Sequence, residues 1–405
     1  MIVRNGQTFR PMVMIAMFMI STFAIGTTEY VAMGILSNVS DSFGITISAA
    51  GLIVSMYALG VAVLSPIAIS LLVKFPRKYV LIGLMLLFIG SSVASALAPN
   101  YTVLLWARVF SALMHGPFFA IAMVMASEVV PPSKKSGAVA AINGGLTISL
   151  MIGVPFGAYI GDLFDWRIVF AGIAGLGIIS LLGIIFYVPN MNAEEPTSMR
   201  KELGVFKRKQ VLFALAITVF GYSGVFTAYT YIEPLLQDIT GFGPAGITLS
   251  LFLFGVGGVL GNMLSGRLNA ESLLKPLMVV MASLTVILST LTLTSTIAWL
   301  APVSVLLLGM GAFGTVPILQ TTVIRAAEGA PSIASASAVS AFNLANAFGA
   351  WVGGMVISLG LSLPLIGMAG AVITLLGLML SWLSFRSSEK ETQEERQGVP
   401  ATDSY

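Results

Sequence analysis

A chain of 405 residues with 9% charged side chains, 57% hydrophobic ones and a mean hydropathy of +0.96 has too little polar surface to coat a water-soluble core, given that soluble proteins carry about a quarter charged residues. Its net charge of +3 includes no cationic cluster outside connecting segments, so no nucleic-acid partner is expected. With no cysteine, one histidine and no HExxH pattern, disulfides, thiolate metal sites and a zinc centre are excluded, and no cofactor is expected.

In chain order, Arg4 and Arg10 precede an apolar run over 11–36. That run is too long for the apolar stretch of a cleaved signal and reads as a retained first span. Stretches of about 20 apolar residues cross a ~30 Å hydrocarbon layer as helices. Further spans are predicted near 48–73, 79–98, 102–127, 136–160, 168–188, 211–236, 244–266, 276–296, 299–324, 333–359 and 364–385, twelve in all. Spans 9 and 10 are almost continuous around Ser295.

Charge tests the count. With both termini cytoplasmic, all 20 Lys and Arg residues fall on the cytoplasmic side except Arg108, inside span 4, and Arg167. A wrong count would scatter them between the two sides. The segment 189–210 is polar (Glu194, Glu195, Arg200, Lys201, Glu202, Lys207 to Lys209) and divides the chain into an N-terminal half, 1–188, and a C-terminal half, 211–386. The hydrophilic tail 387–405 is expected to be disordered and cytoplasmic. A six-plus-six plan with a cytoplasmic linker is the layout of transporters whose substrate lies between two pseudo-symmetric halves.

Ionisable residues inside a bilayer are costly and default to a functional reading. Glu29 sits 7 residues before the outer end of span 1 at Leu36, and Arg108 sits 7 residues after the outer end of span 4 at Tyr101. Both lie roughly 10 Å below the outer surface. An ion pair between them is geometrically allowed, either as a permanent brace or as a site that titrates or meets substrate. His115, two turns after Arg108, points the same way and lies near the midplane, as a hydrogen-bonded residue or a proton carrier. Span 7 carries Tyr222, Phe226, Tyr229 and Glu233 on one helical face. This face reads as a cavity wall for amphipathic ligands, or as packing with Tyr229 and Tyr231 in an interfacial aromatic belt. Glu233, before Pro234, is expected to face water. Tyr30, Met33 and Phe119 belong with this candidate cavity, as do the amides Asn143, Gln320, Asn343 and Asn346, which are read as buried and either cavity-lining or interhelical glue.

Span 5 reads Asn143-Gly144-Gly145, then Gly153, Pro155, Gly157 and Gly161. Small residues at four-residue spacing allow close helix approach, and proline perturbs the hydrogen-bond ladder. There is no Walker A loop, no G-x-S-x-G and no paired intramembrane aspartate, so neither an enzyme nor a nucleotide-driven pump is expected.

Four segments carry a resemblance. They are Gly26-Thr27-Thr28-Glu29-Tyr30-Val31-Ala32-Met33-Gly34; Arg77 and Lys78 after span 2; Arg108 with His115-Gly116; and Gly153-x-Pro155-x-Gly157 with Trp166-Arg167. Over residues 11–386 the chain resembles the major facilitator superfamily, and within it the twelve-span drug:proton antiporter family, arabinose-efflux-permease-like branch. The loop after span 2 departs from that family's G-x-L-a-D-r-x-G-r-K pattern, with Val73 at the acidic position and Pro76 at the second glycine. Arg77 is therefore expected to bond helix C-terminal carbonyls instead.

The resemblance implies an all-α fold of two six-helix bundles, with spans 1, 4, 7 and 10 lining a cavity. It also implies alternating access in a monomer of the bacterial cytoplasmic membrane. The expected function is proton-coupled export of small amphipathic or polar molecules such as drugs or sugars, with Glu29, Arg108 and His115 coupling the proton. Arg77, Lys78, Gly153, Pro155 and Gly157 would act in gating. Import of a sugar or nucleoside by symport is the rival within transport, and a non-transporting membrane sensor is the rival outside it.

Overall fold

In hydrocarbon a backbone must satisfy its own hydrogen bonds, and the apolar segments of this chain answer with long helices. The computed structural model describes residues 2–4, 7–191, 203–267, 273–329 and 331–396. A two-stranded antiparallel ribbon, β1 (Ile2–Arg4) with β2 (Gln7–Phe9), precedes the helices and is a small departure from the all-α expectation. The long helices are α1 (Pro11–Val31), α2 (Ile47–Leu72), α3 (Arg77–Ala96), α4 (Tyr101–Glu128), α5 (Lys135–Ile148, a π turn Ser149–Gly153, Val154–Leu163), α6 (Trp166–Tyr187), α7 (Lys209–Tyr229), α8 (Pro244–Gly266), α9 (Leu274–Thr294), α10 (Leu300–Ala326), α11 (Pro331–Ser358) and α12 (Leu365–Arg396).

Eleven of these are long and apolar enough to cross a membrane among the described residues. The remaining one, α11, has 28 residues, but Ser335, Ser337, Ser340, Asn343 and Asn346 dilute its apolar character. A turn over 295–299 separates α9 from α10. Helix α12 continues to Arg396, past the expected start of a disordered tail at 387, because Glu, Lys, Gln and Arg in that stretch are good helix formers. Residues 192–202, half of the predicted linker 189–210, and the end of the tail lie outside the described residues.

Pairing shows the pseudo-symmetry. Helix α1 packs on α5 and α6, α2 on α4, and α3 on α4 and α6. Six positions later the same scheme recurs: α7 packs on α11 and α12, α8 on α10, and α9 on α10 and α12. The halves meet through α2 against α11 and α5 against α8, two contacts that the same symmetry exchanges. One end of the bundle carries Lys74, Lys78, Lys134 and Lys207 to Lys209 and is called the basic face below. Helix starts at the opposite face are capped by Thr46, Asn100 and Asp165, whose side chains accept from the backbone N–H groups of Ala49, Val103 and Arg167.

Close approach is set by glycine where backbones touch. A Cβ on Gly257 or Gly261 of α8 would overlap the carbonyl of Leu306 or Met310 in α10, atoms that cannot swing aside. Gly261→Val is therefore expected to force the two helices apart and to destabilise the protein by about 1–3 kcal/mol, read as a lower melting temperature of the purified protein in detergent.

Candidate functional site

Glu29 lies on the last turn of α1, just before the backbone tightens into a 3-10 turn at Ala32–Gly34, and it is buried. Its carboxylate faces His115 of α4, with Oε2 at 3.8 Å from Nδ1. The same Nδ1 is hydrogen-bonded to the Tyr57 hydroxyl of α2 at 3.0 Å. Phe119, one turn further along α4, stacks on the imidazole with centroids 5.0 Å apart. Arg108 is 1% exposed. It donates from Nη1 to Thr28 Oγ1 at 3.0 Å and from Nη2 to the Glu29 carbonyl at 3.5 Å, and its guanidinium sits 4.3 Å over the Tyr57 ring.

The expected trio of Glu29, Arg108 and His115 thus comes together, but with a different pairing. Histidine faces the carboxylate, while the arginine bonds the backbone and Thr28 and acts on the carboxylate only through space. Partner choice of this kind depends on side-chain rotamers and an exposed carbonyl, neither of which helix spacing encodes. Tyr57 and Thr28 were missed by sequence reasoning. Tyr57→Phe deletes the bond to His115 yet keeps the ring under Arg108. It is expected to cost about 1 kcal/mol, a fall of a few degrees in melting temperature, whereas Tyr57→Leu removes the ring as well and falls further.

The opposing wall comes from the C-terminal half. Tyr222 and Phe226 of α7 lie 5.5 Å apart, Phe226 meets Tyr30 of α1 at 6.2 Å, and Tyr222 meets Phe342 of α11 edge-on at 5.0 Å. Tyr57 bonds the imidazole that Glu29 faces, and Tyr30, next to Glu29 in α1, meets the other half at Phe226. Tyr229 continues the aromatic face, 6.4 Å from Phe226, and stacks on Phe254 at 3.6 Å. Tyr229 and Tyr231 are both fully buried and form no interfacial belt. Met33 is buried beside this wall in the turn after α1.

Asn343 and Asn346 are buried as expected. Their Oδ1 atoms have no hydrogen-bond partner among the described residues, and Asn343 Nδ2 donates to the Val339 carbonyl at 3.0 Å. Asn143 and Gln320, by contrast, are exposed. Both occur in helices apolar on every side, where periodicity gives no rotation angle and so could not show which way the amide points.

The glycines of α5 do bring two helices into contact. A Cβ on Gly145, Gly153, Gly157 or Gly161 would overlap Thr22, Thr27, Val31 or Ile35 of the first-span segment. Pro155 lacks the N–H that would close an α-helical turn, and the π turn Ser149–Gly153 lies immediately before it. At the basic face, Arg77 Nη1 donates to Glu128 Oε1 at 2.8 Å. Lys78 Nζ donates to the Ile185 carbonyl in the last turn of α6 at 2.8 Å, where a cation meets the negative end of the helix dipole. At the opposite face Arg167 donates to Ser42 Oγ and to the Ala98 carbonyl.

Glu233 corrects the sequence reading most. It is buried at 4% exposure, and its Oε2 accepts from both Ser37 N and Ser37 Oγ at 3.0 Å. The expected single face from Tyr222 to Glu233 is broken because α7 ends at Tyr229. Pro234 has no N–H for the Thr230 carbonyl, and a short helix restarts at Ile232 after the non-helical Tyr231.

A buried carboxylate flanked by imidazole and guanidinium, enclosed by two six-helix halves and facing aromatic residues of the second half, defines a membrane transporter rather than an enzyme. The profile of the Major Facilitator Superfamily matches residues 18–341, and the chain belongs to that family. It is 49% identical over 380 residues, 94% of this chain and 96% of the other, to the uncharacterized MFS-type transporter YfhI of Bacillus subtilis. It is 40% identical to the inner membrane transport protein YdhP of Escherichia coli (91% and 94% covered). It is 32% identical to a probable sugar efflux transporter of Helicobacter pylori (95% and 98% covered). The fold matches the crystal structure of a D-xylose-proton symporter with a TM-score of 0.74 at 16% identity, over 92% of this chain and 97% of that one.

Proposed function

We propose that this protein is a proton-coupled exporter of small neutral, hydroxyl-bearing or amphipathic molecules, working by alternating access across a bacterial inner membrane with the basic face in the cytoplasm. One observation carries the reading: Glu29 is buried and faces His115 in its own half, and the next residue, Tyr30, meets Phe226 of the other half. Substrate entering between the halves changes the surroundings of that carboxylate, and a carboxylate that holds a proton in one state and releases it in another couples the two fluxes. The positive-inside bias supports the orientation. The inner-membrane name of the Escherichia coli relative and the sugar-efflux name of the Helicobacter pylori one support the location and the direction. The protein works as a monomer on this reading, since one chain supplies Glu29, His115 and the aromatic wall.

Substrate chemistry follows from the wall. The unpaired oxygens of Asn343 and Asn346 accept hydrogen bonds from hydroxyl or amide donors, and Tyr222, Phe226 and Phe342 offer ring faces to an apolar portion. Arg108, already engaged by Thr28 and the Glu29 carbonyl, has little to offer a strong anion. Thermal-shift screening against sugars, nucleosides, drugs and dicarboxylates is expected to give stabilisation by neutral ligands only. A dicarboxylate that binds tightly and is weakened by Arg108→Ala would contradict this. Direction is tested in everted membrane vesicles. An acid-inside gradient is expected to drive accumulation of the ligand found in that screen, and gradient-driven loss from the vesicles would establish symport instead.

A further inference from the structure

Away from the central site, the two halves are held together at the face opposite the basic loops by groups that nothing in the transport reading uses. The short helix Leu36–Phe43, which follows span 1, begins without a side-chain cap, since the residue before it, Ile35, has no acceptor. Its missing acceptor comes from the other half of the molecule: Glu233 takes hydrogen bonds from Ser37 N and Ser37 Oγ, both at 3.0 Å. A carboxylate at a helix N-terminus is favoured by the free N–H groups and by the helix dipole.

Two residues earlier, Tyr231 is 1% exposed and donates to the Ala350 carbonyl at 3.0 Å. Its ring occupies a notch of glycines from both halves: a Cβ on Gly51 of α2, or on Gly353 or Gly354 of α11, would overlap it. Ser48 Oγ closes the same seam by donating to the Gly354 carbonyl at 2.7 Å. Pro234 is what turns Tyr231 and Glu233 toward this seam, by ending α7.

We infer that Glu233, capping the Leu36–Phe43 helix across the two halves, and Tyr231, seated in the Gly51–Gly353–Gly354 notch, form the latch that holds this face closed during transport. The inference rests on the alternating-access reading and adds the residues that set its equilibrium at one gate. When the halves part there, Ser37 loses an acceptor and Glu233 loses two donors, so both must turn to water. The latch thus sets the free energy that separates the closed from the open state.

The chain has no cysteine, which allows site-directed spin labelling without background. Labels at Asp41→Cys and Leu361→Cys, both exposed at this face and one in each half, report its opening by pulsed electron-spin distance measurement in lipid nanodiscs. The parent pair is expected to give mainly the short, closed distance. Glu233→Ala, and independently Gly51→Val, which wedges the notch from the other half, are each expected to raise the open-to-closed ratio about tenfold or more, because hydrogen bonds to a charged group are individually worth that much. Unchanged distance distributions in both variants, with normal elution as folded protein, would overturn the latch. A shift in distances in a protein that moves no ligand in everted vesicles would instead leave the latch standing and remove the export reading.

Discussion

Arg108→Ala is expected to lose transport and to lower the melting temperature more than any other single change in the central site. The guanidinium is fully buried and binds three groups at once: Thr28 Oγ1, the Glu29 carbonyl and the Tyr57 ring, with Phe170 a more distant ring at 5.8 Å. Truncation leaves the first two without a donor, removes the cation–ring contact and opens a void where a large side chain stood. Hydrogen bonds from a charged group at ~1.5–3 kcal/mol, with a cation–ring contact of ~0.5–2 kcal/mol, make a loss of roughly 3 kcal/mol or more the expectation. Lysine does not rescue it. An ammonium is a point donor that cannot reach two oxygens while lying flat over a ring, so Arg108→Lys is expected to recover part of the stability and none of the transport. Melting curves and vesicle transport of the two variants check this together. Full transport by Arg108→Lys would mean that charge alone, and not the guanidinium geometry, is what the site needs.

Much of the fold was legible because the bilayer leaves few choices. Backbone groups must be paired within each crossing segment, so apolar length alone marks the helices, and the Lys and Arg residues sort the loops. The short helix Leu36–Phe43 went unread because eight residues with Ser37, Asn38, Ser40 and Asp41 carry no spanning signal, although Gly44 at φ 62° is the left-handed residue that ends such a helix. The span predicted over 211–236 runs through Pro234, whereas the helix ends at Tyr229. The consequence of this break, that Glu233 and Tyr231 are redirected into the other half, depends on what that half presents and is not a property of the local sequence.

The candidate site was legible to the same degree. Intramembrane charge picked out Glu29, Arg108 and His115, which the fold does gather into one cluster. Which group faces which was not legible, since a buried arginine satisfied by a backbone carbonyl and a threonine looks in sequence like one poised to pair with a carboxylate. The amides divide on similar grounds: α11 buries Asn343 and Asn346 against its neighbours, whereas Asn143 and Gln320 are exposed on helices whose faces are equally apolar. Arg77 found Glu128, an acidic partner 51 residues away in sequence.

The central claim is that Glu29 carries the coupled proton, and Glu29→Gln tests it most directly, because glutamine keeps the shape and the hydrogen-bonding reach of the side chain but cannot ionise. Among the described residues the C-terminal half offers no equivalent: the buried carboxylate there, Glu233, is engaged at the seam with Ser37. Purified wild-type protein in weakly buffered solution is expected to release protons when ligand is added, and its vesicles to accumulate ligand against a gradient under an imposed pH difference. Glu29→Gln should still bind ligand, within about tenfold in Kd, a change of ~1.4 kcal/mol, while proton release and uphill accumulation both vanish. Vesicles of Glu29→Gln that still concentrate ligand under the pH difference would contradict the account, make Glu29 a structural neighbour of His115, and move the proton to His115 itself.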